Sequence, residues 1–374
     1  MRDSRITKLA KQLVEYSIEV KQDEVVRIVA HDFESKPLVK ELVKAVYDAK
    51  GIPIVEFVDH EVQALEYKNA NDKRINLVAK WELSKTEDMD AMILIRGKSN
   101  EFELANVDQS IMTKTSQANK EAQNIRVNHR KWVLLNYPTN MFANKAKMAH
   151  DDYEDFFYDV MLVDYKKMRE DAFALKKLMD TTDKVEIKGN GTNLTFSIKD
   201  IGSVICAGDR NVPDGEVYSA PIKDSMNGVI QYNTVTFANG IEFKDVKLEI
   251  ENGKIINASS SINNDKINDV LNSDEGARYF GEFAIGINPK ITSPVGDILF
   301  DEKIYGSFHL TPGQCYDDCY NGNHSLIHWD LVCIQTPEFG GGEIYFDDVL
   351  IRKDGEFVID ELKKLNKNTK KDIK

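Results

Sequence analysis

Between Phe300 and Val332 the chain reads FDEKIYGSFHLTPGQCYDDCYNGNHSLIHWDLV, and three of its seven histidines, His309, His324 and His328, fall inside that stretch. Imidazole nitrogen is a common ligand for divalent ions such as zinc. His328 is followed two places later by Asp330. In an extended strand such a pair points to one face, so both side chains could reach one ion while Ile327, Trp329 and Leu331 pack on the other side. His324 lies in the polar Asn321-Gly322-Asn323 stretch and reads as an ordinary loop histidine.

Carboxylates in unusual settings occur nearby in the sequence. Glu216 follows Gly215, and Glu282 follows Gly281 inside YFGEFAIG; Glu302 emerges from the apolar run Ile298, Leu299, Phe300. A carboxylate flanked by residues that favour burial needs a counter-charge or a cation, or it takes up a proton. Three glutamates, two histidines and one aspartate form a mixed oxygen and nitrogen set suited to Zn²⁺, Co²⁺ or Mn²⁺. Their number suggests two ions. Such a pair can activate one water and polarise the carbonyl it attacks, which is hydrolase chemistry. Each residue also has a plainer reading: Glu216 as a turn carboxylate, Glu282 as an ion-pair partner, Glu302 as a solvated edge charge, His309 as a satisfied core histidine, Asp330 as a cap.

The same residues carry a family resemblance. Asn211 to Pro221 reads as NxPxGExxxAP; Gly281-Glu282 precedes an apolar run; Phe300 to Glu302 reads FDE; His309-Leu310 has Tyr316 seven residues beyond His309; and Ile327 to Asp330 reads IHWD. In this order the motifs resemble the M29 metallo-aminopeptidases, and the segment LVEYSIEVKQDEVVRIVAHDFESKPLVKELVKAVYDAKG extends the resemblance over nearly the whole chain. The resemblance implies two divalent metals in the second domain, with Glu216, Glu282, Glu302, His309, His328 and Asp330 as ligands. It implies that Tyr316 binds the oxyanion of the tetrahedral intermediate, and that a glutamate, for which we take Glu282, also serves in catalysis. It further implies a homodimer with an enclosed site, acting on small peptides with a free N-terminus.

Two rival readings differ in class. A related fold serves ring-cleaving dioxygenases of dihydroxypyridines, where one Fe²⁺ takes two histidines and a carboxylate; His309, His328 and Asp330 would satisfy that triad. A mononuclear iron site has no use for Glu216, Glu282 and Glu302 together, which favours the peptidase. A non-catalytic binding protein on a peptidase scaffold is the other rival, yet every motif position holds a residue able to coordinate.

Composition sets the frame for these elements. The 374 residues are 42% hydrophobic and 30% charged, as in a folded globular chain of two domains. A net charge of −13 argues against a nucleic-acid partner. No apolar run approaches about 18 residues, and the opening MRDSRITKLAKQ lacks a signal-peptide core, so a cytoplasmic protein without a membrane partner is expected. Cys206, Cys315, Cys319 and Cys333 do not make a disulfide framework. The basic end KKLNKNTKKDIK reads as a solvated tail.

The first half alternates strands with helices. Helices are expected over 2–17, from Pro37 to Gly51, over 61–83 and over 106–128, with strands over 24–30, 54–58, 91–95 and 132–135. This pattern implies an α/β domain with a mainly parallel sheet. The loop after the first strand, His31-Asp32-Phe33-Glu34-Ser35, has no glycines for a pyrophosphate, so dinucleotide binding is rejected. His31, His60, His129 and His150 read as loop or surface histidines. A helical connector is expected over 151–180, and after Lys184 short strands begin, with turns at Gly189-Asn190-Gly191, Asn252-Gly253 and Asp354-Gly355. One helix, near 265–278, interrupts them. The expected organisation is therefore an α/β domain with its connector over 1–183 and a mainly antiparallel α+β metal-binding domain over 184–374.

Overall fold

The computed structural model describes residues 3–367, so the last seven residues of the basic tail lie outside the described residues. The chain forms two compact units. The first runs through Val163 and also includes Gly208–Pro213; the second comprises Asp164–Ala207 and everything from Asp214.

In the first unit a parallel sheet has the strand order Ile52–Val58, Val25–His31, Ala91–Arg96, Lys131–Asn136 and Asn211–Val212. The Val25–His31 strand is buried along its length except at its ends, as an inner parallel strand should be. Three expected long helices are each broken in two. Residues 61–83 form His60–Lys68 and Asp72–Asp88, 106–128 form Gln109–Ala118 and Lys120–His129, and 151–180 form His150–Met161 and Tyr165–Thr181. Side-chain caps explain two of the restarts: Asn71 accepts from the Arg74 amide at 2.9 Å and Asp164 from the Lys167 amide at 2.9 Å. The opening helix, Ser4–Gln12, passes into a π-helical turn, Leu13–Ser17.

The second unit is mainly antiparallel. An eight-stranded sheet and a five-stranded sheet dominate it, and the five-stranded one has the order Leu331–Ile334, Ser307–Pro312, Phe280–Gly286, Glu216–Ser219, Val204–Cys206. Cross-strand register pairs Ala284 with His309 and with Tyr218, Glu282 with Thr311, and Gly286 with Glu216. Because side chains alternate along a strand, Glu216, Glu282, His309 and Thr311 all emerge on one face. The other face carries Val217, Phe283, Ile285, Phe308 and Leu310, all buried. Phe283 meets Phe196 of the eight-stranded sheet edge-to-face at 5.0 Å, and that apolar contact fixes which face is left for polar groups. The turns at Asn252-Gly253 and Asp354-Gly355 form as expected.

Candidate metal centre

Every candidate ligand belongs to the second unit. Glu216 opens its strand, Glu282 sits near the start of the Phe280–Gly286 strand beside a bulge, and His309 is central in Ser307–Pro312. Glu302 terminates the short helix Ile298–Asp301, which Asp297 caps at Leu299 and whose Asp301 carboxylate accepts from the Val295 and Gly296 amides.

His328 and Asp330 do not lie within a regular strand. His328 makes an isolated bridge to Gly313, and the strand begins only at Leu331. The alternation survives, because the Trp329 amide bonds the Pro312 carbonyl at 3.0 Å and the indole of Trp329 is buried, donating to Thr236 Oγ1 at 3.1 Å. His328 and Asp330 therefore project together, their Nε2 and Oδ1 3.3 Å apart.

Glu282 lies between the two histidines. Its Oε1 is 3.4 Å from His309 Nε2 and its Oε2 is 3.1 Å from His328 Nε2. The second oxygen of Glu216 lies 3.7 Å from His309 Nε2. Thr311 donates its hydroxyl to Asp330 Oδ1 at 2.6 Å. Tyr316 stands at the edge, its ring 4.9 Å from that of His328 and 5.5 Å from that of Tyr218. His324 pairs with the Tyr320 hydroxyl at 2.9 Å instead.

Electrostatics follow from putting this many acids out of water. Burial opposes the charge on His309, but the hydrogen bond to Glu282 and the charges of Glu216, Glu282 and Asp330 outweigh it and raise the imidazole to about 9. Burial likewise opposes the charge on His328, and the Asp330 and Glu282 carboxylates carry it well above the usual value. Glu302 is pushed up to about 8, first by burial and then by Glu216 and Asp330, with Lys303 pulling the other way. Burial would raise Glu282 and Asp330; the histidines hold both below the usual carboxylate range. Burial and the neighbouring carboxylates keep the Tyr316 phenol protonated, well above its ordinary value. Without a metal, protons on the histidines supply the positive charge the carboxylates demand.

A divalent cation would answer the same demand. Ligand atoms of Glu216, Glu282 and His309 lie within 4.8 Å of one another, as do those of Glu282, His328 and Asp330, and those of Glu302, His309 and Asp330. Glu216 Oε2 is buried with no hydrogen-bond partner, which is costly for a carboxylate oxygen unless a cation faces it. The donor set fits a borderline metal. Cys206, Asp214 and Glu216 form a further group of this kind.

Two participants escaped the sequence reading. Lys303 is buried, with its ammonium on both Glu216 and Glu302, and Thr311 holds Asp330. A lysine directly after Glu302, between the apolar Phe300 and Ile304, was the one available signal for Lys303.

A sequence model of the thermophilic metalloprotease family M29 matches residues 2–357. The chain is similar to aminopeptidase AmpS of Bacillus subtilis (strain 168), 23% identical over 369 residues that cover 88% of each sequence. Among solved structures it resembles wild-type AmpT from Thermus thermophilus, with a TM-score of 0.78 at 17% identity over 95% of this chain and 99% of that one. The 2,5-dihydroxypyridine dioxygenase of Pseudomonas putida KT2440 shares the fold less closely, with a TM-score of 0.63 at 13% identity over 96% and 99% of the two chains.

Proposed function

The chain belongs to the thermophilic metalloprotease family M29, and on that premise we propose that it is an aminopeptidase removing the N-terminal residue of short peptides with two divalent ions. A metal-dependent hydrolase follows from the family itself; the number of ions, their identity as Zn²⁺, Co²⁺ or Mn²⁺, and the ligand roles are our reading. The observation that carries it is the position of Glu282, which belongs both to the group with Glu216 and His309 and to the group with His328 and Asp330. One carboxylate facing two adjacent donor groups is what a ligand shared by two ions requires.

In this reading Glu216, Glu282, Glu302, His309, His328 and Asp330 hold the ions. Bound divalent ions supply Lewis acidity and lower the pKa of a water towards neutrality. Glu282, which the bound ions would hold as a carboxylate, would take the proton of the attacking water. Tyr316, kept protonated, donates a hydrogen bond to the oxyanion that develops on the scissile carbonyl. Thr311 fixes the rotamer of Asp330. The enzyme acts as a homodimer, the state the family resemblance implies; a monomeric mass by sedimentation would remove the dimer from the proposal.

The test is release of free amino acid from unblocked and N-acetylated dipeptides and tripeptides by metal-stripped protein titrated with Co²⁺, Zn²⁺, Mn²⁺ and Fe²⁺. Cleavage of unblocked peptides alone, saturating near two ions per chain, is expected. Oxygen uptake with Fe²⁺ and a dihydroxypyridine, with no peptide cleavage, would favour the dioxygenase reading, in which His309, His328 and Asp330 hold one iron.

A further inference from the structure

Lys303 is 1% exposed, and its Nζ lies 2.7 Å from Glu216 Oε1 and 2.5 Å from Glu302 Oε1. A lysine is rarely buried so completely, since withdrawing an ammonium from water is costly unless partners surround it. Both of its partners are assigned ligands. The clamp leaves Glu216 with one oxygen engaged and the other, Oε2, buried without a hydrogen-bond partner on the side of His309. The ion pairs of Glu282 and Asp330, by contrast, run to histidines.

We propose that Lys303 is a resident cation of the centre. It orients Glu216 and Glu302 by one oxygen each and makes their side hold its divalent ion less tightly than the side of Glu282, His328 and Asp330. The proposal rests on the reading that this donor set binds ions. The physical basis is charge at close range: an ion approaching Glu216 and Glu302 meets an ammonium already bonded to both, in an interior where repulsion is weakly screened. The clamp also gives those carboxylates a partner in the ion-free protein.

The experiment is titration of metal-stripped protein with Zn²⁺ by calorimetry, with bound metal counted by elemental analysis, for the native chain, Lys303→Met, Lys303→Gln and Lys303→Arg. The native chain is expected to show two classes of site. In Lys303→Met the weaker class should tighten by at least about tenfold, while the ion-free protein melts at a lower temperature and recovers on adding Zn²⁺. Lys303→Arg should keep the native pattern. Lys303→Gln retains one donor without the charge and carries the same expectation as Met, covering the case in which the Met variant fails to fold. Affinities unchanged or weakened in the uncharged variants would overturn the role given to Lys303 and leave the metal centre standing. No stoichiometric Zn²⁺ on the native chain would overturn both.

Discussion

The Nδ1 of His328 lies 2.8 Å from the main-chain carbonyl of Gln314. A carbonyl oxygen only accepts, so Nδ1 carries the hydrogen and Nε2 is the atom turned towards Glu282 and Asp330. Partners of this kind set the tautomer and ring orientation of a metal-binding histidine. The carbonyl in turn depends on Gly281, because a Cβ there would come within 2.2 Å of the Gln314 oxygen. The glycine before Glu282 thus makes room for the group that aims His328.

Gly281→Ala should therefore act at a distance from any ligand atom. Overpacking of this size costs about 1–3 kcal/mol, and displacing the carbonyl should weaken Zn²⁺ binding by about 10- to 100-fold. Chemical denaturation and metal titration measure the two effects separately. Lost stability with native affinity would show that His328 is aimed by something else.

Glu282→Gln keeps the volume and removes the charge between His309 and His328. Peptide cleavage should fall by about 10²- to 10⁴-fold or below detection, with far-UV circular dichroism unchanged. Native turnover in this variant would remove Glu282 from the mechanism.

Tyr316→Phe should lower kcat by about 10²- to 10³-fold and alter KM far less, since the phenol's bond is to charge that forms only in the transition state. Steady-state kinetics on an unblocked dipeptide separates the two parameters. A change confined to KM would make Tyr316 a substrate contact rather than an oxyanion donor.

The metal-free protein should lose stability as pH rises. His309 goes from 6.5 unfolded to about 9 folded; its contribution is complete below 6.5 and disappears as pH climbs through 9. The melting temperature of stripped protein should fall from about pH 6.5 to about pH 9, and saturating Zn²⁺ should flatten that decline by replacing the histidine protons. Calorimetric scans across this range, with and without Zn²⁺, decide it; a flat profile for the stripped protein would contradict the charge balance described above.

The alternation of strands with amphipathic helices, followed by closely spaced strands and turns, was enough to establish a parallel α/β region ahead of an antiparallel one, because hydrophobic period is a local property of sequence. Helix breaks were less legible. Asn71 and Asp164 sit in segments whose apolar spacing continues past them, and only their capping bonds reveal the restart.

The residues' own chemistry likewise singled out Glu216, Glu282, Glu302, His309, His328 and Asp330 against their neighbours, while Tyr316 came from the family resemblance. Their convergence was decided by tertiary structure. Cross-strand register puts Glu282 opposite Thr311 and His309 opposite Ala284, and no local pattern encodes which residues meet across strands far apart in the chain. The same holds for Lys303, one charged residue among many in the sequence. Its significance comes from being buried between Glu216 and Glu302, where the cost of desolvating an ammonium binds it to the two carboxylates that the fold brings to it.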